Sequence, residues 1–584
     1  MLRSLGLVLV LWSGLASSAT AQSRADGAVQ RVNTLADEYL KEWLAAFPEL
    51  PTFFGIPGAR HDRLQDPSAA AERAWQRRED RWLAELRAVD TSALENRPEW
   101  VTYGLLREEL EASTRERVCQ DRVWTVHPLA GWQSEYAAVA ELQPVGTADL
   151  RQQALARWSG LPKLIDTEIA NLREGVRAGY TEPKVNVQRV LTGMDKILAT
   201  PDTASPFYSP ATRDTTPAFQ VAFQHLVSTA ITPALRRYRD YLANEYLPAA
   251  REAIAITANP NGAACYRAAI RRATTLDLSG EEIHERGLRE VAAAESTIRV
   301  VAERAYRTSD TRALLQRLRA DTAYSIESRD HVIPVVDSIL ARAWSAVPHW
   351  FGLQPRAKVS VQPFPEFEEP AVPLGQYISA AVDGSRPGIY RVNLYLATKP
   401  GARLALDNLT FHEAVPGHHF QIAIAMERQG VHPLTRYLGN SAFVEGWGIY
   451  SETLAHEMGL YASDAAWLRD LEDHVYTSAT LVMETGMHVT GWSRQQAIDY
   501  ELQHTTRSAE QAAIDVDRRI GLLGQGLSYM MGYLEIARLR TEAEHALGSR
   551  FDIKTFHDRV LENGSITLAM LSQKIHRWLG TSSP

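Results

Sequence analysis

The sequence predicts a mainly α-helical fold carrying one small antiparallel β-sheet. Three observations lead there. Apolar residues recur at three- and four-residue steps through most of the chain, proline- and glycine-rich joints punctuate those stretches, and strand-like alternation is confined to residues 355–400. A chain of 584 residues is too long for one simple core and implies two or three packed lobes. With 45% hydrophobic and 23% charged residues it holds enough apolar material for a large interior.

The first segment reads as a targeting signal. Met1-Leu2-Arg3 gives a positive start, Leu5 to Leu15 an apolar core, and Ala19-Thr20-Ala21 the small-x-small pattern read by signal peptidase. Residues 1–21 are therefore expected to be a signal peptide, with the mature chain starting near Gln22 and exported to the periplasm or the extracellular space. No cysteine sits at the cleavage site, so a lipid anchor is not expected. No later stretch reaches the roughly 18 uninterrupted apolar residues of a membrane-spanning helix, so no span is expected after cleavage.

Helices follow. Residues 28–46 place Val32, Leu35, Tyr39, Leu40 and Trp43 on one face, and similar stretches lie near 70–90, 98–115, 149–178, 217–257, 280–305 and 310–320. These form an N-terminal helical lobe, 22–350. Residues 351–584 form a second lobe that shares a cleft with the first. It opens on strands: "KVSVQPF" alternates, and "QYISAAVDGSRPGIYRVNLYLA" holds two β-like runs about Asp383-Gly384. The last run, near Ile389–Leu396, is expected to lead into the helix of His412, with an edge strand near Tyr390–Leu394. Cys119 and Cys265 are the two cysteines, and spacing leaves open whether they form a disulfide or two separate thiols. A net charge of −8 and a pI near 6.1 argue against a nucleic-acid partner, which would need a basic face.

The chemistry is concentrated in "NLTFHEAVPGHHFQ", 408–421. His412-Glu413 is read as opening a helix capped by Asn408 or Thr410. Two histidines at i and i+4 of one helix can share a zinc ion, with the glutamate beside the first as general base. Here the i+4 position is Pro416, and His418 and His419 come late. Helical rotation of about 100° per residue favours His419, but its rise of about 10.5 Å is too long for two imidazoles on one ion. Pro416 cannot donate a turn hydrogen bond and Gly417 tolerates unusual torsions. Read as a two-residue insertion, Pro416-Gly417 puts His418 in the second ligand position. His419 remains the alternative ligand, or lines the cleft or orients a neighbour. Glu445, 27 positions after His418 in the apolar "SAFVEGWGIY", is the candidate third ligand. Glu452, seven further on, is suited to holding a ligand histidine.

These segments resemble the bacterial family called domain of unknown function 885, related to zinc peptidases of the gluzincin type. The likeness runs over nearly the whole mature chain, through "TFFGIPGARHDRLQD" (52–66), "TTLDLSGEEIHERGLREV" (274–291), "DGSRPGIYRVNL" (383–394), "HEAVPGHHFQ" (412–421), "AFVEGWGIYSE" (442–452) and "GQGLSYMMGYLEI" (524–536). The resemblance implies a zincin-like fold in which His412, His418 and Glu445 hold one zinc ion and Glu413 is the base. Tyr529 is the candidate donor to a developing oxyanion, and His488 a second one. Arg386, Tyr390 and Asn393 are candidates for binding substrate. Where the family carries an arginine and an aspartate before its TG.H motif, this chain has Thr480 and Glu484. The expected function is hydrolysis of a peptide or small amide. The rivals are an amidase or esterase acting on a non-peptide molecule, and a non-catalytic binding protein that keeps the fold.

Overall fold

The computed structural model describes residues 6–366, 369, 372–380 and 387–580, with side chains from residue 25 onward. The helices that build the site are numbered here in chain order. Helix α1 (Gly6–Ala46) is followed by α2 (Ala69–Arg87), whose cap Ser68 accepts from Ala71 N–H, and by α3 (Glu99–Glu116). Val32, Leu35, Tyr39, Trp82 and Leu106 meet at their shared face and are fully buried.

Two expected helices are interrupted. Residues 149–178 form two helices, Ala148–Ser159 and Leu161–Ala178, because Pro162 enters at the start of the second and lacks an N–H to continue the first. Residues 217–257 run in short pieces, with widened π turns at Val227–Ile231 and Leu242–Tyr246. Each sits just ahead of a proline, Pro233 and Pro248. These helices close around a separate apolar core that includes Trp158, Phe207, Phe223 and Tyr238.

A disulfide joins Cys119, just past α3, to Cys265 on α4 (Gly262–Thr274). Helix α5 (Gly280–Tyr306) starts at a capping box formed by Ser279 and Glu282, and α6 (Arg329–Trp350) leads to the sheet.

The sheet has strands β1 (Val359–Pro363), β2 (Gly375–Ile378) and β3 (Gly388–Val392) in the order β1-β3-β2. It differs from the expected antiparallel sheet. β2 pairs antiparallel with β3, but β1 pairs parallel with it, so the sheet is mixed and β3 is central rather than an edge. The chain passes from β1 out to β2 and returns as β3 between them. β3 also stops early, because the Asn393 side chain accepts from Leu396 N–H and turns the chain into the helical turn Leu394–Ala397. Asp383-Gly384 and Arg386 lie outside the described residues.

Beyond the sheet come α7 (Ala402–Glu413), α8 (His418–Glu427), α9 (Ser441–Glu457), α10 (Asp464–His488) and α11 (Gln525–Leu547). One core takes side chains from α1–α3, α6, β3 and α7–α9, among them Trp82, Val336, Phe351, Tyr390, Phe411, Phe420 and Trp447. The boundary placed at 350/351 therefore falls within packed structure. Among the described residues, no helix is long and apolar enough to cross a membrane.

Candidate metal centre

The centre begins where α7 ends. His412 and Glu413 occupy the last turn of a helix that starts after Gly401, whose φ is +72°; they do not open one. Asn408 and Thr410, expected as caps, are instead inside the helix. Asn408 donates to Asp470 Oδ1 at 2.6 Å, and Thr410 Oγ1 is 3.5 Å from the Tyr390 hydroxyl.

The chain then breaks at Ala414–Gly417, with a cis Val415–Pro416 bond, and α8 starts at His418. The N–H groups of Ala414 and Val415 both donate to the Thr410 carbonyl, at 3.0 and 3.3 Å. Phe420 N–H donates to the Ala414 carbonyl at 3.2 Å, a span of six residues where a helical turn spans four. Two residues have been inserted into one turn, as a full break rather than a bulge. Gly417 is required there, since a β-carbon would lie 1.8 Å from the His412 carbonyl oxygen.

His412 Nε2 lies 3.6 Å and His418 Nε2 3.4 Å from Glu445 Oε2. One donor atom from each of the three residues falls within 4.8 Å of the others. Donors around a tetrahedral ion of zinc's size stand about 3.4 Å apart at bond lengths of about 2.1 Å. The set therefore fits one small divalent cation. Its electrostatics also call for positive charge. Burial alone would lower the His412 ring, but Glu445, Glu452 and Glu413 together hold it well above its ordinary value. Burial would likewise raise Glu445, but His412 and His418 pull it well below the carboxylate range.

Behind the ligands, Glu452 Oε1 is 2.6 Å from His412 Nδ1, which leaves Nε2 facing Glu445. Burial pushes Glu452 up against the opposing pull of His412. Asp470 beside it is held well above its ordinary value by burial and the Glu452 carboxyl. Every residue of the Glu445-Gly446-Trp447-Gly448 run has a use. Gly446 lets α9 cross α11, with an added β-carbon only 2.3 Å from Gly532 C. Trp447 Nε1 donates to the Pro416 carbonyl at 2.9 Å, and Gly448 leaves room for the His412 ring. Trp447 and Tyr450 are core residues rather than cleft linings, Tyr450 reaching His557 Nε2 at 2.9 Å.

His419 does not join the ligands. Its Nε2 donates to the Ala357 carbonyl at 3.1 Å and its Nδ1 is 3.1 Å from the Tyr377 hydroxyl; burial lowers the ring to about 4. Glu413 Oε2 accepts from Tyr377 N–H at 2.9 Å. Tyr529 is on α11, where Gln525 Nε2 donates to its hydroxyl at 3.3 Å; burial and then the nearby Glu445 carboxylate push it up to about 12.

Other expected site residues are elsewhere. His488 is buried with both ring nitrogens engaged, Nδ1 accepting from Ile256 N–H at 3.1 Å and Nε2 donating to the Arg519 carbonyl at 3.0 Å. It has no nitrogen left for an oxyanion. Tyr390 is fully buried in the core, pushed up by burial. Asn393 is buried, capping the turn after β3 and donating to the Glu369 carbonyl at 2.8 Å. Neither can meet a substrate. Sequence reasoning missed Tyr377, Gly448 and Asp470. Only the second glycine of "EGWG" offered a signal, as a small residue one turn after a ligand.

Fold and site together define a class: helical proteins in which a broken helix sets two histidines against a glutamate from the next helix. Residues 48–575 match the family described as "Bacterial protein of unknown function (DUF885)", and the chain belongs to that family. It is similar to the crystal structure of a Colwellia psychrerythraea protein described as a "putative lipoprotein". The two are 25% identical with a TM-score of 0.87, over 95% of this chain and 99% of that one. It is also similar in fold to a Shewanella oneidensis "putative lipoprotein of unknown function", 17% identical with a TM-score of 0.75, over 93% of this chain and 98% of that one. No curated protein matches the chain.

Proposed function

We propose that the protein is an exported zinc-dependent hydrolase of the gluzincin kind that cleaves amide bonds, most simply those of short peptides. The observation that carries this reading is Glu413 standing beside a three-donor set of zinc-compatible spacing. A purely structural site has no need of a second carboxylate next to a ligand. Bound by His412, His418 and Glu445, the ion would supply Lewis-acid polarisation of a carbonyl and a lowered pKa for water. Glu413 then takes the proton of the attacking water on its carboxylate and delivers it to the leaving amine. Glu452 keeps the His412 proton on Nδ1, and the Tyr529 hydroxyl donates to the oxygen on which charge develops. An extended substrate would lie along β2, the strand whose outer edge faces Glu413, rather than along β3. Export is supported by the signal-like segment before Gln22 and by relatives described as "putative lipoprotein".

The test is metal analysis of the purified protein combined with turnover of a library of short peptides. Stoichiometric zinc is expected in both wild type and Glu413→Gln, with turnover lost in the variant by a factor on the order of 10² or more. Full activity in Glu413→Gln would sink the mechanism. Stoichiometric zinc with no hydrolysis of any amide or ester would favour a binding protein.

A further inference from the structure

His419 and Tyr377 are brought together by packing that the ligand set does not need. The break before α8 sends His418 toward Glu445, and the next residue, about 100° further round the helix, points at the sheet. There the His419 ring packs edge-on against Tyr377, with centroids 5.5 Å apart. The Ala357 carbonyl can only accept, so it fixes the ring proton on Nε2. Nδ1 is then the acceptor, and the Tyr377 hydroxyl must be the donor. Gly388 on β3 leaves the space, since a β-carbon there would lie 2.7 Å from both His419 Nδ1 and the Tyr377 hydroxyl.

The backbone of Tyr377 turns the other way. Among the described residues β2 pairs with β3 alone, as an edge strand, and Tyr377 N–H points out of the sheet to Glu413 Oε2 at 2.9 Å. Among the described residues, no bond to the other Glu413 oxygen is present. An edge strand of four residues is weakly held by its own pairing, so a side-chain anchor at its third residue decides where that N–H stands.

We propose that His419 is a positioning residue: by fixing the Tyr377 hydroxyl it pins edge strand β2 so that one backbone N–H holds the Glu413 carboxylate in place. The proposal rests on reading Glu413 as the general base. The chain runs from the Ala357 carbonyl through His419 and Tyr377 to Glu413. His419 is therefore needed for the rate of the chemical step and not for binding metal.

The test compares wild type with His419→Leu, His419→Asn and Tyr377→Phe as zinc-loaded full chains. Zinc content is expected to stay within about twofold of wild type, while kcat falls by about tenfold or more in His419→Leu and Tyr377→Phe. His419→Asn, which keeps an acceptor near Nδ1, should lose less. The double variant His419→Leu/Tyr377→Phe should lose no more than the worse single one. Amide hydrogen exchange across 375–378 should speed up in the same variants. Loss of zinc in His419→Leu would mark His419 as a ligand or as merely structural, and would overturn the proposal. Unchanged kcat with unchanged exchange in Tyr377→Phe, which removes only a hydroxyl, would also overturn it. If wild type hydrolysed no amide, the functional reading would fall. Exchange at 375–378 would then decide the pinning alone: faster exchange in the variants upholds it, and equal exchange ends it.

Discussion

At His412 four neighbours set what one imidazole can do. Glu452 holds Nδ1, Glu445 and His418 face Nε2, and the absence of a side chain at Gly448 gives the ring its place. A β-carbon at 448 would meet three ring atoms at 2.5, 2.8 and 2.9 Å, too close for the ring to stay where it is. Gly448→Ala therefore has two effects of opposite sign. It removes a glycine from the middle of α9, which favours the helix by about 1 kcal/mol, and it displaces a ligand. Zinc affinity measured by chelator competition is expected to drop about 10- to 100-fold, with a far smaller change in thermal stability. Affinity equal to wild type would show that the ring can sit elsewhere. The grouping of His412, His418, Glu445 and Glu452 was legible at this scale, because they are types and spacings with a chemical reading. Gly448 was not, because what a glycine makes room for is set by a helix 36 residues away in sequence.

Between elements the decisive contact is the crossing of α9 and α11. A β-carbon on Gly532 would be 1.8 Å from the Ala442 carbonyl oxygen, and one on Gly446 would be 2.3 Å from Gly532 C. The helices meet backbone to backbone, and Ser441 Oγ donates to Ser528 Oγ at 2.9 Å one turn away. Since Glu445 is next to Gly446, the crossing also sets the depth of the third ligand. Gly532→Val is expected to destabilise the fold by about 1–3 kcal/mol through overpacking and to weaken metal binding as α9 shifts. Urea unfolding and zinc titration check both halves, and loss of neither would mean the helices can part without moving Glu445. The same scale explains the error over the sheet. Alternation identified the strands, but strand order follows from which edges meet, and no local pattern encodes that. It also explains why the helix of His412 was placed too late: Asn408 and Thr410 are good caps in isolation, but here their side chains bond across to Asp470 and Tyr390.

For the whole molecule, buried carboxyl groups far from the centre set a dependence on pH. Glu182 is buried where Asn186 Nδ2 donates to one of its oxygens at 2.6 Å. Burial pushes it up from 4.5 to about 8, with Asn186 and Arg251 pulling down and Asp121 pushing up. The folded protein thus holds this proton more tightly than the unfolded chain. Its contribution to stability is full below about pH 4.5 and is lost as pH rises through about 8. Glu182→Gln mimics the neutral form at every pH. The stability of wild type relative to this variant is expected to decline between pH 5 and 8, by an amount on the order of a few kcal/mol. Unfolding of both proteins at intervals across that range measures it, and parallel curves would contradict it. The disulfide also belongs at this scale. Two cysteines 146 positions apart meet only because α3 and α4 pack side by side.

By itself the sequence determined the helical class, the short strand region, the grouping of His412, His418 and Glu445, and the insertion that turns His418 toward Glu445. These are local properties: periodicity, the missing N–H of Pro416, and residue types that bind metal at short spacing. The tertiary structure alone decided that β3 is buried between two partners, which removed Tyr390 and Asn393 from the site. It also decided that the nitrogens of His488 are engaged by backbone, and that His419 faces the sheet and Tyr377 rather than Glu445. The physical reason is common to all of them. Whether a polar group is available depends on which distant backbone satisfies it, and a buried hydrogen-bonding group takes the partner that packing brings.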